Sequence, residues 1–199
     1  MASWTAPKTW SAAAQLTAAE LDTHVRDNET WLKDALTTSG ITSDSVISKI
    51  KSALYGVKAS RTSNQSIADA TDTSILFNAA DIFDSDAFHD TVTNNARLTV
   101  PTGGGGYYLL SAHAAWDTSV AGFIQIEIEL NGTGGVGTTV PGSVTRISPG
   151  NSVTHEIGTP ATLALLSAAD YVACTVRQSS GGALNVTGAS FMAVRLFAT

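Results

Sequence analysis

Four glycines, Gly103 to Gly106, stand between Pro101-Thr102 and the pair Tyr107-Tyr108. A glycine run can cradle a phosphate through backbone N–H groups, but that chemistry needs a Gly-Lys-Ser/Thr ending or a helix N-terminus to receive the anion. No lysine lies near this run and no helical pattern follows it, so the expectation is a turn feeding a strand. The stretch DIFDSDAFHD brings together Asp81, Asp84, Asp86 and Asp90. Hard oxygen ligands so close together could take calcium, yet the spacing misses the EF-hand pattern and its glycine. A solvated loop held to the core by Phe83 and Phe88 is the other reading, and no metal site is assigned.

Nucleophilic and metal chemistry find little support elsewhere. His24, His89, His113 and His155 are isolated from one another, with no HxxxH or HExxH pattern, and no serine sits in a G-x-S-x-G elbow. Glycoside cleavage needs two carboxylates flanking a cleft. Glu127 and Glu129 instead sit two apart on one strand face, a spacing that solvent exposure explains. No catalytic residue and no cofactor is therefore expected. The triplets beginning at Asn64, Asn131 and Asn185 match the glycosylation signal, and Asn131-Gly132 is explained by its tight turn. Cys174 is the only cysteine, which excludes an intrachain disulfide, and its place in the alternation YVACTV predicts a buried thiol.

The elements that must position these groups change character near residue 55. Beyond it, apolar residues alternate in twos between Gly, Asn, Ser and Pro punctuation. FIQIEIEL puts Ile124, Ile126, Ile128 and Leu130 on one face and Gln125, Glu127 and Glu129 on the other. YYLLSAHAAW places Tyr108, Leu110, Ala112, Ala114 and Trp116 inward, and YVACTVR does the same with Val172, Cys174 and Val176. Weaker strand signals are VKASRT, SILF, RLTV, SVTRI, VTHEI, ATLALL, ALNV and SFMAVRLF. Many short strands with no interleaved helices predict a mainly β sandwich or jelly roll over residues 55–199.

Residues 1–54 read differently. An arm holding Trp4, Pro7, Trp10 and Leu16 has no periodicity, and its indoles need a covering surface. From Thr17, paired with Glu20 in a capping box, Leu21, Val25, Asn28, Leu32 and Ala35 recur at spacings of four and three. That stripe is a short heptad seam in which Asn28 fixes register, or else a helix with a polar residue exposed. Ser43 caps a second short helix bearing Val46, Ile47, Ile50 and Leu54. Helices this short are marginal alone.

Composition bounds the partners. Only 14% of the 199 residues are charged, with a net charge of −6, so no basic face exists to neutralise nucleic-acid phosphates. No apolar run is long enough to span a bilayer, and the start lacks the order of a signal peptide, so neither membrane insertion nor Sec export is expected. With 43% hydrophobic residues, a β domain exposing flat strand faces risks edge pairing, which burial between subunits resolves.

Several pieces, in order, resemble the C1q/TNF-like jelly-roll pattern: A-x-R-T at Ala59 to Thr62, L-T-V-P at Leu98 to Pro101, G-x-Y-L-L-S-A-H at Gly106 to His113, Asn131-Gly132, Asp170-x-Val172 and Ser190-x-Met192-Ala193. Ala169 departs from that pattern, where the family usually has glycine, and the opening turn carries two extra glycines. The resemblance implies an antiparallel jelly-roll sandwich, preceded here by a short α-helical N-terminal arm, in a homotrimer around a threefold axis. Leu21, Val25, Asn28 and Leu32 in the stalk and Tyr108, Val194 and Leu196 in the head are then the expected trimer contacts. His113 either lines the axis or is an ordinary strand-face histidine.

W-T-A-P-K-T-W followed by L-T-A-A-E-L-D-T-H-V-R-D-N and Trp31-Leu32 resembles a leader on structural proteins of tailed bacteriophages and their prophages. It implies a non-enzymatic virion protein, made in the bacterial cytoplasm, whose arm docks through Trp4, Pro7, Trp10 and Leu16 onto capsid or tail proteins. The expectation is a trimeric surface projection, either a capsid decoration or head fibre or a tail-associated part. The alternative is a tail receptor-binding protein whose head touches a host-surface glycan or protein.

Overall fold

Alternating sequence becomes strand in separate segments between Gly56 and Ala198. The computed structural model describes residues 17–18, 28–32, 54–119, 121–150 and 153–199. The chain divides into two units, residues 1–53 and 54–199. In the first, Thr17 is exposed and non-helical, Ala18 is helical, and residues 28–32 are helical with Leu32 half exposed. Trp4, Pro7, Trp10, Leu16, Leu21 and Val25 lie outside the described residues, as does the second helix predicted from Ser43.

The second unit holds thirteen strands: β1 (Gly56–Arg61), β2 (Gln65–Ile67), β3 (Thr73–Ser74), β4 (Phe83–Asp84), β5 (Arg97–Thr99), β6 (Gly106–Ser119), β7 (Ile124–Leu130), β8 (Thr138–Thr139), β9 (Thr145–Ile147), β10 (Val153–Gly158), β11 (Thr162–Leu166), β12 (Tyr171–Gln178) and β13 (Leu184–Ala198). They form two antiparallel sheets. The seven-stranded sheet runs β10-β6-β13-β1-β4, with β11 also on β6 and β2 on β13; the six-stranded sheet runs β3-β12-β7-β8, with β5 on β12 and β9 on β7. This is the sandwich that the alternation predicts. ALNV and SFMAVRLF, read as separate strands, are one continuous β13.

A single core fills the space between the sheets. Tyr108, Leu110, Ala112, Ala114 and Trp116 of β6 point into it, as do Ile124, Ile126 and Ile128 of β7, Val172, Cys174 and Val176 of β12, and Phe191 and Ala193 of β13. Each large apolar side chain taken from water contributes about 1.5–3 kcal/mol, so the long central strands carry most of the fold's stability. Cys174 is a free, fully buried thiol, and that burial raises its pKa far above the ordinary range. Arg61, from the A-x-R-T stretch, is also buried. Its guanidinium donates to the carbonyls of Leu76 and Asn64, both at 2.7 Å, tying the segment after β3 to the end of β1.

Candidate functional site

The outer face of the seven-stranded sheet is where this domain exposes apolar surface in register. On β11, β6 and β13, Leu165, Tyr107 and Phe197 form one cross-strand row and Leu163, Leu109 and Val194 the next. Exposure is 54% at Leu165, 52% at Leu163, 41% at Tyr107 and 65% at Phe197, values that set these side chains apart from the closed core beneath. β11 is an edge strand, paired with β6 alone, and its Leu163 and Leu165 continue into a shallow groove lined by Leu130, Val140 and Pro141. A flat apolar face that reaches an unpaired edge is a surface for association.

The expected head contacts fall unevenly on this face. Val194 lies on it, half-buried. Leu196 is 46% exposed but sits in a bulge between Arg195 and Phe197, so strict alternation fails there and Phe197 takes the place beside Tyr107. Tyr108 is a correction: its side chain is fully buried inside the subunit's own sandwich, because it is on the opposite face of β6 from Tyr107. In the first unit, Asn28 and Leu32 are helical, with Asn28 half-buried.

The glycine run makes a turn rather than an anion cradle. Gly104 N–H donates back to Pro101 O, and the Tyr108 hydroxyl donates to the carbonyl of Gly104. A Cβ on Gly106 would stand 2.1 Å from the carbonyl oxygen of Phe197, so only glycine lets β6 begin this close to β13. Tyr108, Phe88 and Tyr55 then stack edge-on in succession, and the Arg195 guanidinium lies over the Tyr55 ring at 4.0 Å.

That aromatic chain leads into the acidic loop, whose carboxylates are engaged by the protein itself. Asp84 accepts the backbone N–H groups of Asp86, Phe88 and His89. Asp86 accepts the Tyr55 hydroxyl at 2.8 Å; Asp90 accepts Val92 and Thr93 N–H, which hold its carboxyl below the usual range. Asp81 pairs with the buried ring of His89 at 2.8 Å. The loop is solvated at Ser85, Asp86, Ala87 and Asp90 and anchored as expected, with Phe88 buried in the core and Phe83 half-buried on β4, and its carboxylates are also tied into a network of hydrogen bonds within the loop. No group of three His, Cys, Asp or Glu residues that could hold a metal occurs among the described residues.

One of the two carboxylates on β7, Glu129, also differs from expectation, while Glu127 is half-buried. Gln125 and Glu129 face away from the inter-sheet core yet are buried. The Arg146 guanidinium donates to Gln125 Oε1 and lies over the Phe123 ring, and the GTGGVG segment after β7 covers Glu129. His113 is half-exposed on the outer face of β6, 3.5 Å from Glu156.

Two of the matched stretches meet in space. Asn131 donates through its side-chain amide to Asp170 Oδ1 at 2.8 Å and accepts Tyr171 N–H at 2.9 Å, while Asp170 Oδ2 accepts Ser167 N–H. This clamp locks the start of β12 to the end of β7. Ala169, beside it, has φ +71°, the left-handed region that glycine occupies without strain.

No protein-family model matches the chain, and no curated protein matches it. Among solved structures it is similar to Eiger TNF from S. frugiperda at 11% identity, covering 74% of this chain and 95% of that one with a TM-score of 0.53. Two structures of murine APRIL are also similar, one at 14% identity, 68% and 98% coverage and a TM-score of 0.44, the other at 15% identity, 68% and 96% coverage and the same TM-score. At such identities the likeness concerns the fold: a TNF-like jelly roll over the second unit.

Proposed function

We propose that this chain is a non-enzymatic structural protein of a tailed-bacteriophage virion, a trimeric surface projection anchored by its N-terminal arm and displaying the jelly-roll head outward. The observation that carries the assembly is the apolar face of the seven-stranded sheet, where Leu165, Tyr107 and Phe197 lie in one exposed row ending at the unpaired edge of β11. Self-association covers that row and the edge together. The place on the virion rests on the leader resemblance of residues 3–36, and capsid and tail positions satisfy it equally.

The experiment is immunogold electron microscopy on intact particles, joined to light scattering of the purified full chain. The reading expects label at regular positions on capsid or tail and a mass of three chains. Particles that carry no label, or a single-chain mass at micromolar concentration, overturn it. Saturable binding of the purified protein to host cells, with label confined to the tail tip, selects the receptor-binding role.

A further inference from the structure

Glu129 belongs to the outward face of β7 but is only 1% exposed, because the segment from Gly132 to Gly137 folds back over it. The fit is close. A Cβ on Gly137 would stand 3.0 Å from Glu129 Cβ, a tight contact, and one on Gly135, where φ is +87°, would stand 2.8 Å from Asp72 Cβ, so glycine is favoured there on both counts. Gly134 N–H donates to Ser74 Oγ at 2.8 Å, and Ser74 Oγ lies 3.3 Å from the hydroxyl of Thr175. Beneath this cover Glu129 Oε2 is buried with no hydrogen-bond partner.

Among the described residues no cation is among the groups that act on the Glu129 carboxyl. Glu127 is the acidic neighbour on the same strand, and the hydroxyl of Thr139 on β8 is directed to Glu127 rather than to Glu129. Asp72, from the β2–β3 connection, is committed to Arg177 of β12 at 2.8 Å. Arg97 of β5 stands on the far side of Ala173 and stacks over Tyr171. The covering segment itself has no charged residue. Burial pushes the Glu129 carboxyl above its ordinary range; hydrogen bonds from Thr175 and Gly135 N–H offset part of that, and Glu127 and Asp72 add to it.

We propose that residues 132–137 form a proton-controlled flap, closed over β7 while Glu129 is neutral and opening more often once that carboxyl ionises, so that Asp72, Glu127 and Glu129 become an exposed acidic face. An ionised carboxylate with one oxygen out of water and unpaired is costly to keep, and lifting the flap returns it to solvent. The open form titrates in the ordinary carboxyl range and the closed form above it. Closure is therefore strongest below the ordinary pKa, weakens as pH rises through the closed-state pKa, and levels off beyond it.

Hydrogen exchange on the full-length protein between pH 4 and pH 8 tests this, reading protection of the Gly134 to Gly137 amides corrected for the intrinsic pH dependence of exchange. Flap protection should fall by about threefold or more across that window, while the central amides of β6 and β13 hold theirs. Glu129→Gln should abolish the fall, and Glu127→Gln should keep it. Flat wild-type protection, or a fall that persists in Glu129→Gln, overturns the proposal. Should Glu129→Gln fail to fold, the Glu129 carboxyl resonance of the wild type serves instead: flap protection must fall between the ordinary carboxyl pKa and the midpoint of that resonance and level off above it, and a loss that begins only above that midpoint overturns the idea.

Discussion

Ala169 shows how one methyl group can record a departure from the best sequence for a fold. It takes φ +71° in the turn between β11 and β12, where its N–H donates to Val100 O and the next residue, Asp170, holds the clamp with Asn131. An L-residue with a side chain costs about 1–2 kcal/mol in that conformation. Replacing it by glycine relieves the strain but loosens the unfolded chain by about 0.4–1 kcal/mol. Ala169→Gly should therefore stabilise the head by about 0.5–1 kcal/mol, raising Tm by roughly 1–3 °C for a domain of this size. Calorimetry checks it, and an unchanged or lowered Tm would show that the turn is not strained. Asp84 makes the complementary point. Its carboxylate satisfies three backbone N–H groups in the acidic loop, work that composition alone cannot distinguish from solvation.

At the scale of elements, the outer face of the seven-stranded sheet separates what alternation foretells from what it misses. Charge placed on that face should break assembly without unfolding the head, since the core lies on the other side of the same strands. Leu165→Glu and Val194→Glu should each weaken association by about ten- to a hundredfold, the equivalent of losing about 1.5–3 kcal/mol of apolar burial per contact. Val92→Glu, in the exposed acidic loop, should leave the mass unchanged. Light scattering reads the mass and circular dichroism the fold; an assembled Leu165→Glu would remove this face from consideration. The strands of β6, β7 and β12 were legible because strict alternation over seven or more residues has one physical meaning. The bulge at Arg195 to Phe197 was not, because parity reverses there with no glycine or proline to announce it, and Leu196 was assigned to a face that Phe197 shares. Tyr108 was legible as an inward residue of β6 but not as a contact between subunits, which requires the opposite parity. Glu129 was missed for another reason: its burial comes from the glycine-rich segment that follows it, and a strand's own pattern says nothing about what folds back onto it.

For the whole molecule, the division at residue 53 implies a division of labour that can be tested by removal. The second unit has a closed core of its own, with Trp116, Tyr108, Phe77 and Phe191 buried among its strands. Its apolar face also lies wholly within residues 107–197. Deleting residues 1–16 should then leave the melting temperature of the head within about 2 °C and leave a three-chain mass, because the described core residues of the head all fall between Val57 and Ala193. Incorporation into particles should be lost, since Trp4, Pro7, Trp10 and Leu16 go with the deletion. Particle-bound and free protein, separated by density gradient from cells producing the shortened chain, give the readout. A shortened protein that still sediments with particles would transfer docking to the jelly-roll head and count against the arm. One that falls to a single-chain mass would place the assembly determinant in the arm, and the exposed row on β11, β6 and β13 would then need another partner.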